Sequence, residues 1–264
     1  MTLTTDLPLS CREAVETSLE VLKVHGKDVD AGRWQGYPTG GKPDLMTREV
    51  INLTFTAQIP EFWQELEDQL LPSNPWAEEE FQERVGGRPN NPHYSLKEWP
   101  WWNGQIEVPF THTYSERFWP NETGEDPVGK IKGIRYRYGD LTDVLRLLFE
   151  NPQTRQATFP IFYPEDTGAV HGGRTPCTLH YHFMIREGKM HLWYAIRSCD
   201  AVRHFRDDVY LAGRLCQWVI DALRQRAFYE GTPAEQTFWD EVKPGVLCFT
   251  AYSFHVHHGD LHLL

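Results

Sequence analysis

The strongest constraint on the fold is the long alternation of apolar and polar residues in several segments of the chain. These segments are residues 48–60, 157–164, 177–198 and 245–264. Alternation with a period of two predicts strands that bury one face, and the first segment is also rich in β-branched residues. Glu187 and Gly188 interrupt the third segment and predict a turn between two paired strands. The sequence therefore predicts one large sheet, mixed or antiparallel.

Helical periodicity predicts the elements that pack on this sheet. Apolar residues recur at helical spacing at 10–25, 60–71, 140–152 and 209–228. The stretch 32–47 is rich in Gly and Pro and predicts a loop. The stretch 72–109 is polar, Pro-rich and predicts an irregular excursion, with tryptophans at Trp76, Trp99, Trp101 and Trp102. The pattern predicts an α+β fold, and the length fits one domain over residues 1–264.

The charge balance narrows the class of partner. Asp and Glu number 37 against 26 Lys and Arg, which gives a net charge of −11. Such a molecule repels a polyanion, so nucleic acid is not expected as a partner, whereas a small anion in a local basic pocket is compatible. No apolar stretch reaches the ~18 residues of a membrane span, and no signal-peptide pattern is present. The sequence predicts a cytoplasmic protein, in the host cytoplasm if its source is viral, without membrane contact.

The five cysteines are too scattered for a disulfide framework or for a zinc site made of cysteine. They are Cys11, Cys177, Cys199, Cys216 and Cys248. Their number is odd and they form no CxxC pair. Reduced thiols are therefore expected, with a reactive one among them.

One stretch combines several candidate functional residues at fixed spacing. In chain order they are Asn151-Pro152, Arg155, Pro176-Cys177, Arg197-Ser198, Asp200 and Asp208. Arg197 stands 20 residues after Cys177, and Asp208 stands eleven residues after Arg197. This order resembles the thymidylate synthases and their relatives, the deoxycytidylate hydroxymethylases, whose pattern is NP-x-S/T-R, PC, RS-x-D and then a base-reading residue. The resemblance covers about residues 135–258 and implies a thymidylate synthase-like α+β fold.

The resemblance implies a role for each of these residues. Cys177 would be the nucleophile that adds to C6 of a pyrimidine nucleoside monophosphate, and Asp200 would help to place the base and the nucleophile. The phosphate ligands would be Arg155, Arg197 and Ser198. Arg155 would reach into the site of the neighbouring subunit in a sheet-mediated homodimer.

Position 208 bears on which base is read. The resemblance implies asparagine there in enzymes that take uracil nucleotides and aspartate in the cytosine-specific hydroxymethylases. A carboxylate accepts a hydrogen bond from the N4 amine of cytosine, whereas an asparagine amide pairs with O4 and N3–H of uracil. Asp208 can also stabilise a proton that arrives at N3 when C6 is attacked. The sequence thus favours a cytosine nucleotide.

The chemistry implied by the resemblance needs a thiolate, because C5 of a pyrimidine becomes nucleophilic only after a group adds at C6. A one-carbon unit from 5,10-methylenetetrahydrofolate would then join C5. Completion by water gives a hydroxymethyl group, and completion by hydride gives a methyl group. The favoured activity is a deoxycytidylate 5-hydroxymethyltransferase, and C5-methylation of dCMP or dUMP is the nearest alternative.

Matches outside this stretch are weaker. Glu49 stands before a predicted strand where the family has a carboxylate that organises water and proton transfer, and Arg33 is a candidate for a mobile phosphate-binding arginine. Residues 114–117 loosely match the Tyr-Gly-x-x-Trp-Arg segment of the family. Thr178 follows the nucleophile where a histidine is usual.

The segment that would hold the sugar departs from the family pattern. Ser253 and His255 stand where Asp-x-His-x-Tyr is usual, and both are able to bind a sugar by hydrogen bonds. CMP therefore stays open as a substrate beside dCMP, which Ser198 favours. The chain also stops soon after this segment, which resembles the hydroxymethylase branch.

Other readings of the same residues compete with this one. His180-x-His182 and His255-x-His257-His258 on neighbouring strands would form a zinc or iron site, although no metal is expected on balance. A catalytically inactive nucleotide-binding protein would need the arginines but not Cys177. A cysteine that begins a strand is often only a buried structural thiol. Asp208 would suit the N-cap of a helix that begins near Val209.

Overall fold

The computed structural model describes residues 2–3, 8–34, 37–101, 112–119, 140–167 and 175–264. Its strands are β1 (Thr2–Leu3), β2 (Leu9–Ser10), β3 (Lys27–Val29), β4 (Arg33–Trp34), β5 (Tyr37–Pro38), β6 (Thr47–Gln58), β7 (Thr158–Pro160), β8 (Thr178–Arg186), β9 (Lys189–Asp200) and β10 (Lys243–His257). Its α-helices are α1 (Cys11–His25), α2 (Trp63–Leu70), α3 (Trp76–Val85), α4 (Tyr114–Phe118), α5 (Leu141–Glu150), α6 (Phe205–Glu230) and α7 (Pro233–Glu241). Among these described helices, none is both long and apolar enough to cross a membrane.

One mixed sheet organises the chain. Its order is β1-β6-β10-β9-β8-β7, and β2 and β3 also pair with β6. The two central strands β9 and β10 are parallel, and α6 and α7 connect them. β6 runs antiparallel to β10, and β8 runs antiparallel to β9. The predicted α+β class with a large mixed sheet packed by helices is confirmed.

Aromatic residues fill the space between the central strands and the start of α6. The rings of Phe55 and Phe249 stack at 5.0 Å, and Phe205 from α6 lies edge-on to Phe249 at 5.5 Å. Tyr194 meets Phe249 edge-on at 5.4 Å. Burial of such rings contributes most of the stabilisation of a core, and here it fixes the start of α6 against β9 and β10.

The regular alternation of buried and exposed residues is interrupted at aligned positions of the three central strands. In β6 the buried residues pass from Leu53 to Val50, in β10 from Ala251 to Phe254, and in β9 from Ile196 to Cys199. Asn52, which lies inside this change, has φ of 56°. A local departure from the regular pleat redirects the side chains that follow it. Simple alternation along the sequence does not predict this change.

Several predicted elements are confirmed. α1 begins after Ser10, whose hydroxyl accepts from the backbone of Glu13 while the Glu13 carboxylate accepts from Ser10 N, a capping box. The turn between β8 and β9 has positive φ at both Glu187 and Gly188, as the predicted hairpin requires. α6 begins at Phe205, earlier than the sequence predicts.

The prediction of an irregular excursion over 72–109 is wrong in part, because α3 occupies Trp76–Val85. The inner face of this helix carries Glu80 and Arg84, which are buried and paired at 2.7 Å. These two charged residues interrupt an apolar pattern that is otherwise carried by Trp76, Ala77, Phe81 and Val85. The prediction of a strand up to residue 264 is also too long, since β10 ends at His257 and a 3-10 helix covers His258–Leu263.

A buried ion pair outside the sheet gives a direct test of packing. Arg117 binds Asp166 through two parallel hydrogen bonds of 2.7 and 2.8 Å, and both side chains are buried. Arg117→Ala leaves a buried carboxylate without its cation, so we expect a loss of about 3–5 kcal/mol in the free energy of unfolding. The matched control is Arg146→Ala, which removes an exposed pair with Asp143 and should cost less than ~1 kcal/mol. Equal losses in urea denaturation would contradict the expectation.

Candidate active site

Most predicted site residues of the described chain, although not Arg155, lie at one end of the sheet. β9 and β10 are parallel, so their carboxyl ends share this edge, and the antiparallel strands β6 and β8 begin there. Cys177 directly precedes β8, and the segment from Arg197 to Asp200 closes β9. α6 starts just beyond β9 and brings Asp208 to the same end.

Arg197 holds the segment that carries Cys177. Its backbone N–H donates to the Cys177 carbonyl at 2.8 Å, and its guanidinium donates to the carbonyls of Pro176 and Thr175, both at 3.0 Å. These bonds use Nε and Nη2, so Nη1 faces no acceptor among the described residues. The arginine therefore fixes the cysteine segment and keeps a donor group for an anion.

Burial separates Cys177 from the other thiols. Cys11, Cys199 and Cys216 are buried, and burial raises the pKa of Cys11 and of Cys216 to about 12. Cys248 is partly exposed in the middle of β10, and burial raises its pKa as well. Cys177 is partly exposed at the end of the sheet, next to the arginine. Cys177 thus differs from the three buried cysteines by its partial exposure and from Cys248 by its place at the end of the sheet, although it also packs against the core.

Asp208 lies in the first turn of α6 with neutral neighbours at both carboxylate oxygens. Tyr194 Oη donates to Oδ1 at 3.5 Å, and Cys199 Sγ donates to Oδ2 at 3.6 Å. Burial raises the pKa of Asp208 to about 7, and the charge of Arg84 opposes the rise. The N-cap of the helix is His204, so the alternative that Asp208 caps a helix near Val209 is wrong.

Asp208→Asn is expected to change how stability depends on pH. The folded pKa of about 7 lies above the ordinary value of 3.8, so the folded state holds the proton more tightly than the unfolded chain. Stability from this group is present at low pH and is lost as the pH rises toward 7. The melting temperature of the variant relative to the unmodified protein should therefore increase from about pH 4 to about pH 8. A difference that stays constant over this range would contradict the expectation.

Three hydroxyl groups connect Asp208 to the start of β8. Tyr194 Oη lies 3.0 Å from Thr178 Oγ1, and Thr178 donates from both N and Oγ1 to Tyr114 Oη, at 3.4 and 3.3 Å. Arg84 stacks over the Tyr114 ring at 4.0 Å. The loose match at 114–117 is the only feature of the sequence that points to Tyr114. No feature of the sequence points to Tyr194 or Arg84, because each resembles an ordinary residue of a strand or a helix.

A second group lies along the same edge and contains Glu49. Ser253 Oγ donates to the Glu49 carboxylate and lies 3.3 Å from His255 Nδ1. In the strand register His255 is opposite Glu49 on one side and Asp200 on the other. Burial lowers the pKa of His255, and the Asp200 charge opposes this. Glu49 is thus placed with the predicted sugar-binding residues.

The remaining predicted residues are in different situations. Ser198 is opposite Ser253 in the strand register, and Asp200 accepts from the backbones of Val202 and Arg203 at 3.0 Å. Arg155 is exposed and has no hydrogen-bonding or ion-pair partner among the described residues. The side chain of Arg33 lies outside the described part.

The alternative of two His-x-His pairs on neighbouring strands is wrong, because β9 lies between β8 and β10. His182 instead lies 2.7 Å from Thr158 Oγ1. Within the described residues, two groups have potential ligand atoms within 4.8 Å of one another: Asp200, His255 and His257, and Glu80, Glu83 and His93. Arg203 stands 4.0 Å from Asp200, and Arg84 stands 2.7 Å from Glu80. Each group therefore already faces a cation.

The tryptophans of the predicted excursion pack beside this end of the sheet. Trp99 stacks on His204 at 4.7 Å and lies 5.7 Å from Trp76. The Arg203 guanidinium lies 5.2 Å from the Trp101 ring. Trp102 lies outside the described residues. The described rings form an aromatic surface at the start of α6.

Comparison with known proteins supports the fold. No protein-family model and no curated protein sequence matches the chain. Among solved structures, the thermostable thymidylate synthase A of Bacillus subtilis matches 95% of this chain and 81% of its own, with a TM-score of 0.59 and 15% sequence identity. Together with the mixed sheet and its packed helices, this likeness gives the chain the fold of thymidylate synthase.

Proposed function

We propose that the protein transfers a one-carbon unit from 5,10-methylenetetrahydrofolate to C5 of a cytosine nucleotide, dCMP in preference to CMP, and that water completes the reaction to a 5-hydroxymethyl product. The observation that carries the proposal is the convergence of Cys177, Arg197 and Asp208 at one end of the sheet. A thiol, an anion ligand and a carboxyl group that reads the base are what such chemistry requires. The fold is that of an enzyme that makes thymidylate.

Cys177 is the proposed nucleophile. Its thiolate would add to C6 of the pyrimidine, and the electron pair released to the ring makes C5 able to attack an electrophile. Arg197 would serve twice, because it fixes the backbone of the cysteine segment and directs Nη1 toward an anion. Ser198 and Arg155 are proposed as further phosphate ligands.

Asp208 is the proposed reader of the base. With a pKa of about 7, both its protonated and its ionised form are present at neutral pH. The carboxylate would accept from the N4 amine of cytosine, and the acid form would supply a proton to N3 as charge develops there. Glu49 is the proposed base for water, and its hydrogen bond to Ser253 links it to His255 and to the proposed sugar site.

The described surface that fits a folate is aromatic. Trp99 and Trp101 lie beside His204 and Arg203, next to the turn that carries Asp208, and Trp99 Nε1 is a buried donor with no partner in the described part. A flat ring with acceptor atoms matches such a surface. Bound there, 5,10-methylenetetrahydrofolate would supply the one-carbon unit. Water must reach the same site for the hydroxymethyl outcome.

The direct test measures the mass of the nucleotide product. The purified protein is incubated with 5,10-methylenetetrahydrofolate and, separately, with dCMP, CMP, dUMP or UMP. A gain of CH2O on dCMP is the expected result. The same gain on CMP alone would show that the substrate is the ribonucleotide and not the deoxyribonucleotide. A gain of CH2 would make the enzyme a methylase. Absence of product from all four, with the folate shown to be intact, would overturn the proposal.

We also propose a homodimer in which Arg155 serves the neighbouring subunit. Support comes from the exposed position of Arg155 and from the second face of the sheet, where Thr54, His180, His182 and Trp193 are partly exposed. Arg155→Ala and Cys177→Ala protomers should each be inactive alone. Mixing them under exchange should restore a part of the activity, because one site of the mixed dimer then has both residues. No recovery in a dimer verified by light scattering would exclude the shared site.

A further inference from the structure

A row of hydroxyl groups joins the Asp208 carboxyl group to the segment that carries Cys177. From Asp208 Oδ1 the row passes to Tyr194 Oη at 3.5 Å, to Thr178 Oγ1 at 3.0 Å and to Tyr114 Oη at 3.3 Å. The side chains of Tyr194 and Thr178 are 1% and 0% exposed. Tyr181, which is also 1% exposed, interacts through its hydroxyl with those of Tyr194 and Thr178, so these two hydroxyls find their partners in a buried group and not in solvent.

The protonation of Asp208 decides which way Tyr194 donates. Each hydroxyl donates one hydrogen bond, and an ionised carboxylate only accepts. With Asp208 ionised, Tyr194 donates to it, and the Tyr194–Thr178 bond then needs the proton of Thr178 Oγ1, which is drawn away from Tyr114. With a proton on Oδ1 of Asp208, the carboxyl group donates to Tyr194, and Tyr194 donates to Thr178. Thr178 Oγ1 then donates to Tyr114 Oη.

We propose that Tyr194 and Thr178 are positioning residues that transmit the protonation of Asp208 to the hydroxyl of Tyr114 beside the cysteine segment. The inference rests on the proposed role of Asp208 as reader of a cytosine. When Asp208 gives its proton to N3 of the base, Tyr194 turns its proton to the carboxylate, and Thr178 turns its proton from Tyr114 to Tyr194. No proton travels along the row, so the step needs only rotation of two hydroxyl groups.

The charged neighbours of Asp208 are held in place by other groups, so its hydrogen bond to Tyr194 is the contact that responds when Asp208 gains or loses a proton. The ionisable groups that face it from the packed elements are Arg84 of α3, Asp207 of its own helix, Cys199 and Tyr194 of β9, Tyr181 of β8 and Tyr114 of α4. Arg84 is fixed by Glu80 at 2.7 Å, and Asp207 accepts from Ser73 N and Oγ at 2.7 and 2.9 Å. Both charged neighbours are thus held by other groups, and the cysteine and tyrosines are neutral near pH 7.

A purely structural role is the competing explanation, because buried hydroxyl groups are usually hydrogen-bonded. Such a role predicts loss of stability from each hydroxyl without coupling between the hydroxyls and Asp208. Three variants separate the two explanations: Tyr194→Phe, Thr178→Val and the double variant. The control is Tyr210→Phe, which removes another buried hydroxyl of the same region, one that donates to Glu78 at 2.9 Å.

The first readout is the titration of the Asp208 carboxyl carbon by NMR in substrate-free protein labelled with 13C-aspartate, assigned with Asp208→Asn. Tyr194→Phe should move the midpoint to higher pH, because the carboxylate loses a donor. Thr178→Val should move it in the same direction, and the double variant should add little to Tyr194→Phe. The midpoint in Tyr210→Phe should stay unchanged. Equal midpoints in Tyr194→Phe and the unmodified protein, or additive shifts, would overturn the proposal.

The second readout is the pH profile of kcat/KM for dCMP. We expect Tyr194→Phe to lower the maximum of kcat/KM about 10-fold. The pH at which kcat/KM changes should shift in the same direction as the NMR midpoint. Thr178→Ser, which keeps the hydroxyl, should rescue the profile if Thr178→Val folds poorly. Because the NMR titration needs no turnover, it tests the coupling between Asp208 and the hydroxyl row even if the protein converts none of the four nucleotides.

Discussion

Cys177→Ala is expected to abolish turnover of the cytosine nucleotide while nucleotide binding is largely retained. Without the thiolate no group adds to C6, and C5 keeps its low reactivity, so the loss should be about 10⁴-fold or more. The alanine removes only the sulfur, and the backbone bond from Arg197 N to the carbonyl of residue 177 stays in place. Steady-state rates and calorimetric titration with dCMP measure the two effects.

The matched control for this prediction is Cys248→Ala. Cys248 is the other partly exposed cysteine, but it lies in the middle of β10, where its sulfur faces Thr56. Its loss should leave turnover close to that of the unmodified protein. If Cys177→Ala kept turnover, covalent addition at this residue would be excluded, and activity lost equally in both variants would indicate a general disturbance of the sheet.

Asp208→Asn is expected to move preference from cytosine toward uracil nucleotides. In the orientation that pairs with O4 and N3–H of uracil, the asparagine amide directs its N–H group at the N4 amine of cytosine, so two donors meet, whereas the carboxylate accepts from that amine. Discrimination that depends on such buried hydrogen bonds is large, and the ratio of kcat/KM for dCMP over dUMP should fall at least ~100-fold. Tritium release from C5 of each labelled nucleotide reports the change without relying on the final product.

The neighbouring carboxyl group supplies the control for the base preference. Asp207 has the same side chain on the same helix turn, but both of its oxygens accept from Ser73. Asp207→Asn should therefore change stability and leave the ratio for the two bases unchanged. A preserved cytosine preference in Asp208→Asn would remove the assignment of this residue as the base reader.

The sequence predicted the elements with long periodic patterns and missed two shorter helices. The hairpin of β8 and β9 and the long helix α6 follow from periodicity, and both are present. α3 was missed because Glu80 and Arg84 occupy its buried face. α7 was missed as well, although Thr232 and Glu235 form a capping box that is visible in the sequence.

The site could be predicted only where residues are close in sequence or follow a known spacing. Cys177, Arg197 and Asp208 converge as that spacing implies. Glu49 is placed instead by the register of β6 on β10, opposite His255, which no local pattern encodes. Tyr194 was missed for another reason: a tyrosine at a buried strand position has the same sequence signature whether its hydroxyl serves packing or a neighbouring carboxyl group.

The position of Asp208 has a consequence for how such a protein would acquire a new substrate. Its side chain is carried by α6, the rigid crossover between the two central strands, and not by a loop. Asparagine has nearly the same shape, and its codons differ from those of aspartate by one nucleotide. Under the proposed role of Asp208, a population of such genes would stand one point mutation away from a different base preference, without rebuilding the scaffold.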